Sequence, residues 1–268
     1  MTEQVNSRVV AKRAMSDHFS DLASGYRKIR TTDLRPVKYI QKFLGSYSKV
    51  VAADVGCGTG RYSALLIKHL GEKLFLHCID SNEFMLQQLA EQLPSIGGER
   101  IKVLRGTAEE LPLPDESLDA LTTFNAVHHF PLQAFLQESC RVLRRGSYLF
   151  VYTRFQSQNK RTIWGKYFPR FSEKEDRLYE LESISRVSAD VPGLNLVKVV
   201  PFRYRRRAGI HRLVEQAKGR HYSTFSLYGQ EEFGEALDTF ERELLQRYKN
   251  PAAINWYDEN VLLVFQNS

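Results

Sequence analysis

Three glycines on alternate positions, Gly56, Gly58 and Gly60, follow the run Val50-Val51-Ala52-Ala53-Asp54-Val55. No other stretch constrains the fold as tightly. From Arg61 to Leu70 the residues Tyr62, Leu65, Leu66, His69 and Leu70 recur at helical spacing. The pattern predicts a strand, a tight glycine loop and a helix. Glycine lets the backbone turn sharply and lets a ligand approach where a Cβ would stand in the way. In an α/β fold such a ligand lies across the loop, at the mouth of the sheet. A dinucleotide loop would place its third glycine at position 61, which is Arg61. A phosphate loop would need Gly-Lys-Ser/Thr, which is absent.

The rest of the chain supplies the other strands. Leu74–Asp80 is an apolar run ending in a carboxylate, 24 residues after Gly56. Two carboxylate oxygens accept both hydroxyls of a ribose, so Asp80 is the expected ribose reader, with Ser81 or Asn82 capping the next helix. Further strands are expected over 101–106, 118–125, 148–153, 194–204 and 261–265. Helices are expected over 83–93 and 132–143, with a turn at Arg144-Arg145-Gly146-Ser147. Two helices are expected within 16–45, one carrying Phe19, Leu22, Tyr26, Ile29 and Arg30, the other carrying Pro36, Val37, Ile40, Phe43 and Leu44. Residues 209–249 look helical, with a break near Tyr222-Ser223-Thr224-Phe225.

Asp54-Val55-Gly56-Cys57-Gly58-Thr59-Gly60 resembles motif I of the class I S-adenosylmethionine (SAM)-dependent methyltransferases. Gly106-Thr107-Ala108-Glu109-Glu110-Leu111-Pro112-Leu113-Pro114-Asp115-Glu116-Ser117-Leu118-Asp119 resembles a second stretch of that family, and His128-His129 a third. The likeness runs from about residue 50 to 153 and is nearest to the type 11, ubiquinone/menaquinone-like branch. It implies a Rossmann-like α/β fold: a seven-stranded, mostly parallel sheet with helices on both faces, plus helical cap insertions. The expected organisation is a helical N-terminal cap (1–45), a SAM-binding core (46–154) and a remainder (155–268) with lid or substrate insertions at 155–180 and 209–250.

The resemblance implies SAM as cofactor and S-adenosylhomocysteine as product. It carries the cofactor role onto Asp54, Gly56, Cys57, Gly58, Gly60, Asp80, Ser81, Met85, Thr107, Ala108, Glu109, Asn125 and Arg30. Within that set Met85 is the apolar residue expected against the adenine, and Arg30 lies near the methionine end with Tyr26. Thr107 departs from the family's Asp, so its contact to the adenine amino group is expected to be weaker. His128, His129 and Tyr26 are the candidates for the chemistry. His128 has the intrinsic pKa of a general base, and each histidine has a purely structural reading beside the catalytic one. No third ligand stands at metal spacing, so no metal is expected.

Composition narrows the partners. The chain has 268 residues, 43% hydrophobic and 26% charged, as in an ordinary soluble domain. No apolar run is long enough to span a bilayer and no secretory signal is visible, so a cytoplasmic protein is expected. Cys57, Cys78 and Cys140 are odd in number and lack metal spacing, which fits a reducing compartment. The net charge is +7, yet residues 154–220 alone hold sixteen Lys/Arg against seven Asp/Glu. Trp164, Tyr167, Phe168, Phe171 and Tyr222 interleave with that basic region. The favoured reading is methyl transfer to a small acidic or aromatic molecule. An RNA or tRNA methyltransferase, motivated by Arg203, Arg205, Arg206 and Arg207, and a non-catalytic SAM-binding scaffold are the alternatives. The acceptor atom and the oligomeric state stay open.

Overall fold

The computed structural model describes residues 31–93 and 98–268. The expected helix bearing Phe19, Leu22, Tyr26, Ile29 and Arg30 lies outside them. The described residues fall into two units, one of 31–157, 177–202 and 259–268, the other of 158–176 and 203–258.

The first unit is built on β1 (Val50–Val55), whose VVAADV run is buried at every position but one. A strand buried on both faces needs neighbours on both edges and helices above and below. β2 (Leu74–Asp80) and β4 (Leu118–Phe124) pair parallel on either side of it. β3 (Ile101–Arg105) and β5 (Leu143–Thr153) extend the parallel set. β6 (Leu194–Ala208) and β7 (Ile254–Asn267) complete the order β3-β2-β1-β4-β5-β7-β6, with β7 antiparallel to β5. This is the seven-stranded, mostly parallel α/β fold that the sequence predicts.

The helices of this unit follow the sequence signals closely. α1 (Leu34–Phe43) buries Pro36, Val37 and Ile40, with Pro36 in the first turn, where its missing N–H costs nothing. α2 (Arg61–Leu70) ends at Gly71, whose φ of 67° lets the chain leave the helix. α3 (Glu83–Ala90) is capped by Asn82, which accepts from the Met85 N–H at 3.2 Å. α4 (Leu132–Val142) buries Leu132, Phe135, Leu136 and Val142 under the sheet.

Strand boundaries differ most from the sequence reading at β5, β6 and β7. β5 begins at Leu143, so Arg144–Ser147 is not a turn but a bulge within the strand: Leu118 faces Leu143 and Ala120 faces Tyr148. Gly146, at φ 80°, absorbs the extra residues. β6 continues to Ala208 and β7 begins at Ile254. Consecutive arginines read as a strand end, but alternation sends Arg203, Arg205 and Arg207 to solvent and leaves Arg206 to pair with Asp258 at 3.1 Å.

The second unit has its own aromatic core. α5 (Gln156–Lys160) leads into it, followed by α6 (Ile163–Tyr167) and α7 (Phe171–Lys174). α8 (Leu181–Ala189) belongs to the first unit, and α9 (Ile210–Lys218) and α10 (Gln230–Arg247) to the second. A 3-10 turn at Ser223–Leu227 separates α9 from α10, where the sequence placed the break. Trp164 stacks on Phe240 at 4.9 Å and meets Phe225 edge-on at 5.3 Å. Trp164, Phe168 and Phe171 are each only 2% exposed. These aromatics, read from the sequence as lining a substrate cap, are the core that holds this unit together.

Candidate functional site

Every glycine of the loop after β1 has positive φ: 69° at Gly56, 54° at Gly58 and 76° at Gly60. The three are constrained for different reasons. A Cβ on Gly56 would stand 2.6 Å from the Ala126 Cβ and 2.9 Å from the Phe130 Cζ. On Gly60 it would meet the Leu89 Cδ1 at 2.3 Å. On Gly58 it would meet nothing within 4 Å, so the backbone there faces open space. Gly56 and Gly60 let the loop pack down, and Gly58 leaves room for a ligand to approach.

Backbone bonds fix the loop to β2. The Gly56 and Cys57 N–H groups donate to the Ile79 carbonyl at 2.8 and 3.1 Å. The Gly58 N–H donates to Asp80 Oδ2 at 2.8 Å, and the Asn82 N–H to Asp80 Oδ1 at 2.9 Å. One carboxylate therefore ties the glycine loop to the turn before α3. Asn82 caps α3, so Asp80 is spared for this role. Burial raises the Asp80 carboxyl above its ordinary range, opposed by backbone N–H groups of Asn82, Gly58 and Ser81. The Gly58 and Asn82 bonds go to different oxygens, and the carboxylate keeps lone-pair capacity for a further donor.

Asp54 is 1% exposed and sits beneath the loop rather than in it. The Ser63 hydroxyl donates to its Oδ2 at 2.6 Å, and Thr122 Oγ1 lies 3.3 Å from its Oδ1. It joins β1, β4 and the first turn of α2. Burial pushes its pKa up to about 7, against the lowering effect of the Ser63 and Thr122 hydroxyls and with a smaller push from Asp80. A raised carboxyl binds more protons in the folded than in the unfolded chain. Its stabilising contribution is full below about pH 4 and is lost as pH rises through about 7. The expected cost between pH 5.5 and 7.5 is about 2 kcal/mol. Guanidinium unfolding midpoints of the wild type and Asp54→Asn across that interval check this, and the variant should lose most of the pH dependence.

The other candidates within the described residues follow the ends of β1 to β4, which run parallel and so share one rim of the sheet. Cys57 is half-buried. A hydrogen bond with the Cys78 thiol, followed by burial, raises its thiol well above the ordinary range, which disfavours the thiolate. Met85 is buried on α3, with Phe84 exposed beside it. After β3, Thr107 is exposed, Ala108 is buried and Glu109 is half-buried. Gly106 is held by a bond from its N–H to the Asp80 carbonyl at 3.2 Å, which brings this segment to the end of β2. Asn125, at the end of β4, has φ 54°, a conformation few side chains tolerate, and its N–H donates to the Tyr152 carbonyl at 2.7 Å. His128 and His129 occupy a 3-10 turn, Val127–His129, with their rings 4.0 Å apart. Tyr26 and Arg30 lie outside the described residues.

Sequence reasoning missed a polar cluster at the C-terminal end of β5 and the middle of β7. The Tyr152 hydroxyl donates to Asp33 Oδ2 at 2.8 Å and accepts from Asn260 Nδ2 at 2.8 Å. Arg154 Nε donates to Asn260 Oδ1 at 3.2 Å. The Asp33 N–H donates to the Tyr62 hydroxyl at 3.2 Å, and the Tyr62 ring stacks on Phe124 at 4.2 Å. Asp33 stands at the N-terminus of α1, but its side chain makes no capping bond. No local pattern joins residues 33, 62, 152 and 260. Thr59 was also missed: it is 3% exposed, and its hydroxyl has no hydrogen-bond partner among the described residues.

A family model described as a methyltransferase domain matches residues 53–151, the stretch that carries this rim. A demethylmenaquinone methyltransferase of Staphylococcus aureus is 34% identical over 110 residues, 41% of this chain and 45% of that protein. A Mycobacterium tuberculosis protein, named a probable S-adenosylmethionine-dependent methyltransferase, is 34% identical over 101 residues, 37% of this chain and 34% of its own. The match thus spans less than half the length of either relative. Among solved structures, a geranyl diphosphate C-methyltransferase of Streptomyces coelicolor aligns at TM-score 0.55 and 11% identity, over 87% of this chain and 77% of that one. SpnF, a 4+2 cyclase, aligns at TM-score 0.60 and 16% identity, over 87% and 81%. At such identities the structures speak for the fold alone, and the cyclase is a reminder that one fold hosts more than one activity.

Proposed function

We propose that this chain, whose core is a class I SAM-dependent methyltransferase domain, transfers the SAM methyl group to a small acidic or aromatic molecule. The observation that carries the reading is the Gly58–Asp80 pair: an open backbone position whose N–H rests on a carboxylate with acceptor capacity to spare. Asp80 would take the ribose hydroxyls, Gly58 would give the cofactor its approach, and Ala108 and Met85 would serve the adenine. SAM supplies a methyl on a sulfonium that leaves as a neutral thioether, so the hard chemistry belongs to the cofactor. The protein's part is to align the acceptor and exclude water. Where the acceptor arrives protonated, His128 is the proposed base, with His129 packed beside it. The identification of a relative as a demethylmenaquinone methyltransferase supports a small acceptor over a macromolecular one.

The test is a transfer assay with methyl-labelled SAM on a cell extract divided into small-molecule, RNA and protein fractions. Label is expected in the small-molecule fraction, and His128→Ala should lower its rate by tenfold or more if the acceptor needs a base. Label confined to RNA would make the chain an RNA methyltransferase. SAM binding without transfer to any fraction would favour a scaffold.

A further inference from the structure

The arginines of β6 take no part in the rim described above. β6 is an edge strand, the last in the sheet order. From residue 203 to 207 its side chains alternate, with Arg203, Arg205 and Arg207 exposed and Tyr204 and Arg206 half-buried. The two rows are treated differently by their neighbours. Arg206 is neutralised: its Nε lies 3.1 Å from Asp258 Oδ2, and Trp256 Nε1 donates to Asp258 Oδ1 at 3.0 Å. No carboxylate pairs with Arg205 or Arg207 among the described residues. The Arg203 guanidinium lies 3.8 Å from the ring centre of Tyr257, itself 47% exposed.

A charged edge strand discourages pairing with another chain. Three arginines in a row do more. Alternate residues of a strand stand about 6.8 Å apart. That is comparable with the spacing of successive phosphates along an extended single strand of nucleic acid. Each guanidinium offers a planar fork that matches a phosphate, and a ring beneath Arg203 restricts its motion before any partner arrives. A positive track beside aromatic rings is how proteins hold single strands without reading their sequence.

We propose that the Arg203-Arg205-Arg207 row of β6 is a docking face for the backbone of single-stranded RNA. It goes beyond the methyl-transfer reading and holds whatever the acceptor is. The contact is electrostatic and independent of sequence, so it should weaken steeply with salt.

The test is fluorescence anisotropy of a labelled 20-nucleotide single-stranded RNA with the full chain, from 20 to 300 mM salt. Three phosphate contacts predict a log–log salt slope of about −2, and Arg205→Glu/Arg207→Glu should reduce the slope to about −0.7. The same variant should lose tenfold or more in affinity at low salt. Because both side chains are exposed, its melting temperature and SAM affinity should stay at wild-type values, and the single variants Arg205→Ala and Arg207→Ala should each give a smaller loss. No RNA binding at 20 mM salt, or equal binding by wild type and double variant, overturns the proposal. So does binding to phosphatidylglycerol vesicles without binding to RNA, which would assign the row to an anionic membrane surface.

Discussion

Alanine at Gly56 should cost the protein both its stability and its cofactor, whereas alanine at Gly58 should cost the cofactor alone. At Gly56 two penalties add. The residue has φ 69°, where a Cβ costs about 1–2 kcal/mol. The new methyl would also press on the Ala126 Cβ at 2.6 Å and the Phe130 ring at 2.9 Å. Neither yields easily: Ala126 has no rotamer to change, and the Phe130 ring packs on Phe135 with its centre 4.9 Å away. Overpacking of this kind costs about 1–3 kcal/mol. Together they predict a fall of roughly 5–15 °C in melting temperature for a domain of this size. The displaced loop should also lose SAM affinity by a hundredfold or more. At Gly58 only the conformational cost remains, since nothing lies within 4 Å. The fold should survive with a loss of about 1 kcal/mol, while the methyl occupies the cofactor's approach and weakens binding at least tenfold. Gly60 falls between them, because its nearest contact is the flexible end of Leu89. Thermal melts paired with SAM titrations check all three. Equal SAM affinity in Gly58→Ala and wild type would remove the loop from the proposed site.

The second large effect is expected at Asp80. Alanine there removes the acceptor for the Gly58 and Asn82 N–H groups and, on the proposed reading, for two ribose hydroxyls. Hydrogen bonds to a charged acceptor contribute about 1.5–3 kcal/mol each. Losing both ribose bonds predicts SAM binding weaker by a hundredfold or more. Asparagine is the sharper test, because it keeps one acceptor oxygen and nearly the same shape. It should bind about tenfold more weakly than wild type and melt between wild type and Asp80→Ala, because its NH2 replaces one oxygen that accepts a backbone N–H. The carboxyl is raised by burial, so SAM affinity should fall as the pH drops through its folded value. That acid limb should be missing from Asp80→Asn. An Asp80→Asn variant that binds SAM as wild type does would mean the carboxylate serves only the loop.

The core strands were legible because each is a short apolar run closed by a turn signal, and the glycine loop because three alternate glycines between an apolar run and a helical pattern mark a tight strand-to-helix turn. The boundaries that slipped were those where charge hides a strand. Arg144 and Arg145 sit in a bulge of β5, and Arg203–Arg207 alternate along an edge. Both look like turns or solvated faces until the partner strand is known. The same limit applies to the site. Asp80 announces itself by its distance from Gly56, a local relation along one βαβ unit. Asp33, Tyr62, Tyr152 and Asn260 meet only through the sheet order, which places β5 beside β7 and brings the start of α1 to its end. Trp164, Phe168 and Phe171 misled for the opposite reason. Aromatics among basic residues suggest a binding surface, but here they join Ile163 in the buried cluster, and a second unit needs a core of its own.

The central claim is that the loop from Gly56 to Gly60, with Asp80, forms a SAM cradle. Calorimetric titration of the wild-type chain with SAM, and separately with NADH, tests it most directly. Micromolar SAM binding at one site per chain, with no heat from NADH, is the predicted result. NADH binding without SAM binding would contradict the claim and make the loop a dinucleotide site.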